Sequence, residues 1–242
     1  MNIDLSAPVV SGIVLIAFVA VIHMSFQLAM SVLTLLSGHS LMHRRATQRL
    51  LVLNSAFIAG AALTTLLLLV AFTTLATLWI DPSLYAPAWL VLFGVTIIVA
   101  MLTMIVYYRD GKGTQLWIPR SLADYLTNRA KRTTNAAEAV ALGIMSTVAE
   151  LPFTAILLAL TALALSTTVN LDLHSVMICI YTIASVLPLI IITVLLSGGH
   201  RLSTIQRWRE SSKVFLQYAA GVGLLVVALY LMVFYIVIPE RL

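Results

Sequence analysis

The sequence is short of the charged side chains that a water-soluble surface needs: only 10% of its 242 residues are Asp, Glu, Lys or Arg, while 61% are hydrophobic. With a mean hydropathy of +1.05, an ordinary soluble domain is excluded and a polytopic membrane protein is expected. Cysteine is nearly absent. The lone Cys179 can form neither an intramolecular disulfide nor a dithiol relay, and it is expected to be a small buried apolar residue. His23, His39, His43, His174 and His200 do not cluster in sequence with acids or thiols, so neither a metal site nor a cofactor is expected. The longest polar stretch, residues 109–138, has no room for a soluble catalytic domain.

What the chain does have is long apolar runs. A helical crossing of the hydrocarbon core takes about 20 apolar residues, and six runs qualify: 10–36, 50–80, 88–108, 139–165, 175–196 and 214–238. No basic n-region precedes the first run and no small-residue cleavage site follows it. It is therefore expected to be a retained helix and not a signal peptide. The whole chain, 1–242, is expected to be one all-α integral membrane domain.

All basic residues except Arg241 fall after runs one, three and five. The N-terminus, the links 81–87 and 167–174, and the tail carry Asp4, Asp81, Asp172 and Glu240. By the positive-inside rule the three basic loops are cytoplasmic, and both termini of this multi-pass cell-membrane protein are expected outside. The net charge of +5 then reports topology and contact with anionic lipid headgroups, not nucleic-acid binding. In the third loop Trp117, Ile118, Leu122, Tyr125 and Leu126 alternate with Arg120, Arg129, Lys131 and Arg132, a pattern that predicts a short interfacial helix.

Glu150 is the only ionisable side chain in run 139–165. A carboxylate at bilayer depth carries a large desolvation cost and faces a protein interior or a watery path. Pro152, two residues on, removes an N–H and leaves the carbonyl of Val148 without its helical partner. Gly143, Thr147, Glu150 and Thr154 recur at helical spacing on one face, as do His23, Gln27, Ser31 and Thr34 in the first run. Polar stripes of this kind face other helices or water; they serve as a site or as interhelical hydrogen bonds. Pro188 is expected to kink the fifth run, and Ala56, Gly60 and Thr64 form a ridge of small residues that lets helices approach closely. LLSGH and LLSGGH strings ending at His39 and His200 read as helix C-caps.

The halves resemble each other. A shift of 123 residues lays Gln27 on Glu150 and Ser31 on Thr154; a shift of 127 lays Gly94 and Val95 on Gly221 and Val222, and Tyr108 on Tyr235. Three helices per copy is an odd number, so the second copy enters from the opposite side, giving two inverted three-helix repeats over about 10–108 and 139–238.

The motifs Ala149-Glu150-Leu151-Pro152-Phe153-Thr154 and Leu187-Pro188-Leu189, the basic link with Arg207-Trp208-Arg209, and Gly221-Val222 leading to Ala228-Leu229-Tyr230-Leu231 resemble the last three helices of the CcdA/DsbD transmembrane family, within the LysE-like transporter superfamily. The resemblance covers about 135–235 and implies six helices in two inverted repeats with a transport-like architecture. It departs at one point: Phe153 stands where a CcdA-type protein would place a reactive cysteine, and the region of Ala29 and Met30 has neither cysteine nor proline. Electron relay is therefore not implied.

The expected function is that of a membrane transporter or exporter of a small solute or ion, proton-coupled through Glu150. Gln27, His23, Thr147, Thr154 and Ser31 are the expected partners of Glu150, and Pro152 and Pro188 the gating positions. The alternative is a non-transporting membrane scaffold or assembly factor with a CcdA/LysE-like fold, docking a protein partner at its basic loops. No enzyme is expected, since neither a nucleophile nor a cofactor motif accompanies Glu150 and His23.

Overall fold

A computed structural model of the chain describes residues 7–26, 28–40, 46–109, 115–116, 120–167 and 171–237. Gln27, Trp117, Ile118 and both chain ends lie outside the described residues. Among the described residues, regular structure is helical apart from a two-residue antiparallel ladder that pairs Tyr108 with Leu116 and Arg109 with Gln115.

Among the described residues, five helical segments are each long and apolar enough to cross a bilayer: Gln48–Trp79, Pro82–Ile105, Ala136–Ser166, Leu173–Ser197 and Val214–Val237. They belong to α3 (Ala46–Trp79), α4 (Tyr85–Leu102), α6 (Ala136–Ser166), α7 (Leu171–Ser197) and α9 (Lys213–Leu231). Both α4 and α9 end in a π-helical turn, Thr103–Tyr107 and Met232–Val237. The continuous first helix expected over 10–36 is corrected: α1 (Ala7–His23) and α2 (Leu28–Ser40) are separate helices bent by 45°, and they make a sixth span if they act as one.

α6 is the most buried span, and α3 packs against it more extensively than any other pair of elements pack. The reason is steric. A Cβ on Gly60 would collide with the backbone of Val140, and one on Gly143 with the carbonyl of Phe57. Two glycines, one on each helix, thus bring the backbones together, as small-residue packing requires where lipid supplies no hydrophobic drive. Gly60 takes the place expected of it. Gly143 belongs to this contact too, although its spacing also put it on the Glu150 stripe.

The start of α6 is set locally. Asn135 caps it by accepting from the Glu138 amide at 2.9 Å, and Glu138 accepts from the Thr134 amide at 3.2 Å, close to a capping box. Arg129 of α5 (Arg120–Arg132) reaches Glu138 at 3.5 Å. α5 is the short helix expected in the third loop. Its Leu126 and Ala130 are buried in a cluster with Leu50, Leu142 and Leu196, while Tyr125 stays exposed. A second short helix, α8 (Leu202–Ser211), occupies the basic link before α9.

α7 ends in a Schellman motif. Gly199 adopts φ +89°, its amide bonds the Leu196 carbonyl, and the His200 amide bonds that of Leu195. The His200 ring lies 3.1 Å from the same Leu195 carbonyl, so the expected cap at this end is present. Cys179 is corrected: it is exposed on α7, beside outward-facing Val176, Ile180 and Ile183. An apolar side chain finds hydrocarbon outside a membrane bundle as well as inside it, so apolarity alone does not assign it to the core.

Candidate functional site

The site begins at the break between α1 and α2. After His23 the chain tightens, with the Ser25 amide bonding Ile22 and the Phe26 amide bonding His23, a three-residue spacing typical of helix ends. In an uninterrupted helix the Leu28 amide would bond the Met24 carbonyl. Here it donates instead to Glu150 Oε1 at 2.5 Å. The carboxylate of one span therefore caps the N-terminus of a half-helix from another, where orphan amides and the positive end of the helix dipole both favour an anion.

Glu150 is buried, at 7% exposure. It lines a cavity of about 30 Å³ together with His23, Thr65, Thr147, Ser185 and Pro188, with Phe26, Ala29 and Met30 on the α1–α2 side. That volume holds about one water molecule. Two of the hydroxyls have their hydrogens already committed: Thr147 donates to the Gly143 carbonyl at 3.1 Å and Ser185 to the Thr182 carbonyl at 2.8 Å. Each therefore offers lone pairs to the cavity. A carboxylate with acceptor hydroxyls suits a proton-bearing or cationic guest better than an anion.

His23 is held by Tyr181, whose hydroxyl is 2.8 Å from Nδ1 and whose ring stands edge-on to the imidazole at 5.6 Å. Tyr181, on α7, is fully buried. The sequence reading missed it; a lone tyrosine in an apolar run was the available signal. It also missed Asn54, wholly buried on α3, whose amide donates to Ser37 at 3.0 Å and to Thr193 at 3.2 Å. This network ties α2, α3 and α7 together, two helical turns along α3 from cavity-lining Ala61. Polar groups buried at such depth need partners of this kind.

The structure thus brings His23, Thr147, Glu150 and Pro188 together around one cavity. Thr154 is buried one turn away and donates to the Glu150 carbonyl at 3.2 Å. Ser31 is half-buried, its carbonyl accepting from Thr34 at 2.8 Å, and it does not line the cavity. Pro152 sits on an exposed face of α6, and both prolines lie inside continuous helices. Gln27 lies outside the described residues. Phe153 packs against Phe26 with ring centroids 6.4 Å apart. Among the described residues no three His, Cys, Asp or Glu side chains are grouped to hold a metal ion.

No protein-family model, no curated protein and no solved structure matches this chain. Fold and geometry define its class as a multi-pass, membrane-embedded helical protein.

Proposed function

We propose that the chain is a transporter or exporter of a small solute or ion in the cell membrane, coupled to protons through Glu150, with both termini on the extracytoplasmic side. The observation that carries this reading is the hydrogen bond from the Leu28 amide to Glu150 at the break between α1 and α2. Broken helices whose N-termini meet an anion at mid-membrane are a recurrent device of transporters built from inverted repeats. Protonation of Glu150 would weaken the acceptor that holds the α2 amide, and so couple the charge of one side chain to the angle between two half-helices.

Supporting the inverted repeat, each helix of the first half touches its counterpart in the second: α1 packs on α6, α3 on α7 and α4 on α9. The two third helices also end alike, in π turns. The resemblance of the second half to the CcdA/DsbD family favours the same architecture, with Phe153, packed on Phe26, at the position where that family would carry a reactive cysteine.

A second reading, the non-transporting scaffold, is favoured by the size of the cavity, which at about 30 Å³ passes no solute as it stands. The two readings differ in proteoliposomes. Flux of candidate cations and small solutes is measured across a pH gradient for wild type and Glu150→Gln. A transporter loses its pH-coupled flux in the Gln variant while keeping its fold. Unchanged coupling removes Glu150 from the mechanism, and absence of flux in both proteins leaves the scaffold.

A further inference from the structure

Away from Glu150, at the end of the bundle where α3 turns into α4, a cavity of about 550 Å³ opens between α3, α4 and α6. Phe72, Leu75 and Trp79 line it from the last turns of α3, Val91 from α4, and Ala159 and Ala162 from the last turns of α6. α3 and α4 are consecutive, yet α3 packs chiefly on α6 and α7, and α4 on α9 and α6, which leaves a wedge between them. The wall Phe72–Leu75–Trp79 recurs at helical spacing, runs about 10 Å in depth at 1.5 Å per residue, and is apolar throughout. Water has no partners there, and the volume is that of a small-molecule site.

The link that joins the α3 and α4 walls of this groove is not apolar. Asp81 lies between groove-lining Ile80 and Leu84, and its Oδ1 accepts from the Ser83 amide at 2.9 Å and the Ser83 hydroxyl at 2.8 Å. These bonds hold its carboxyl below the usual range, so it stays ionised at neutral pH. Trp79, 78% exposed, precedes it by two residues and is the last residue of the span Gln48–Trp79, the place in a span where tryptophan is enriched at the headgroup layer and its indole face can attract ammonium groups. No Lys or Arg occurs in 81–87, so an anionic head finds no counter-charge in this link.

We propose that this groove is a lipid site: it takes one acyl chain of a phospholipid in the leaflet at the Asp81 end, with an ammonium-bearing head at Asp81 and Trp79. The small side chains of Ala159 and Ala162 form the floor that the chain lies on. The site is independent of the transport reading and stands whether or not Glu150 carries protons.

The test is native mass spectrometry of the full chain, purified from a bilayer of equal phosphatidylethanolamine and phosphatidylglycerol. Wild type is expected to retain one phosphatidylethanolamine in preference to phosphatidylglycerol. Ala159→Phe, which fills the floor, and Leu75→Trp, which narrows the opposite wall, are each expected to lose the bound lipid while keeping helical circular dichroism; either suffices if the other fails to fold. Asp81→Asn is expected to keep a lipid and lose the head preference. The proposal is overturned if wild type retains no lipid, if retention survives both filling variants, or if the glycerol head is preferred. It is equally overturned if the filling variants abolish a dimer that carries no lipid, since a second copy would then be the occupant.

Discussion

The carboxylate of Glu150 and the backbone amide of Leu28, 122 residues apart in sequence, meet at 2.5 Å, and this contact stands where the first span is broken. A side chain that replaces an intrahelical acceptor must be present for the break to persist. Glu150→Leu is expected to strand the Leu28 amide and destabilise the protein by about 1–3 kcal/mol, the cost of an unsatisfied buried donor. Glu150→Gln retains a carbonyl oxygen at the same reach but without the charge, so it should keep the fold while exchanging the Leu28 amide hydrogen faster than wild type. Unfolding in mixed micelles measures the first difference, and exchange of the Leu28 amide hydrogen reports the second; a Leu variant as stable as wild type would remove the capping role.

The α3–α6 contact gives a sharper structural test. At Gly60 and Gly143 an added methyl meets backbone and not a yielding side chain, so Gly60→Ala and Gly143→Ala should each destabilise by about 1–3 kcal/mol, in the range of overpacking. The two positions share one interface, so the double variant should cost less than the sum of the singles, because the helices separated by the first methyl have already made room for the second. Thermal denaturation of the four proteins completes the cycle.

Asn54 links three helices through Ser37 and Thr193. Asn54→Ala is expected to lose about 0.6–2 kcal/mol, the range for interhelical hydrogen bonds in membranes. Replacing all three residues by apolar ones of similar size should recover part of that loss, because no orphan donor or acceptor remains. A triple variant less stable than Asn54→Ala would mean that the network contributes more than paired polar groups.

Orientation is checked by labelling. Because Cys179 is exposed on α7, it is first replaced by Ser. Single cysteines are then introduced in the 167–174 and 203–212 links, and a membrane-impermeant maleimide is expected to reach the first from outside the cell and the second only after permeabilisation. Same-side labelling would defeat the proposed topology.

Hydropathy and charge placement alone determined that the chain is helical and membrane-embedded, and placed its long spans to within a few residues. These are local properties: each crossing must satisfy its own backbone hydrogen bonds in hydrocarbon, so length and apolarity suffice to mark it. Helical spacing also put Thr147 and Glu150 on one stripe and His23 on another, since residues on a common stripe share a face, and the likeness of the two halves joined the stripes into one candidate set. The break between α1 and α2 was not legible, for Met24, Ser25, Phe26 and Gln27 include neither proline nor glycine; the helix yields there to an acceptor supplied by another span. Tyr181, Asn54 and Cys179 were misread or passed over for a related reason. In lipid an apolar face carries no preference for inside over outside, and a lone polar residue does not announce its partner. Which helices meet, and at what separation, was decided by backbone contacts such as Gly60 with Val140, and a contact between distant segments exists only once the bundle has closed.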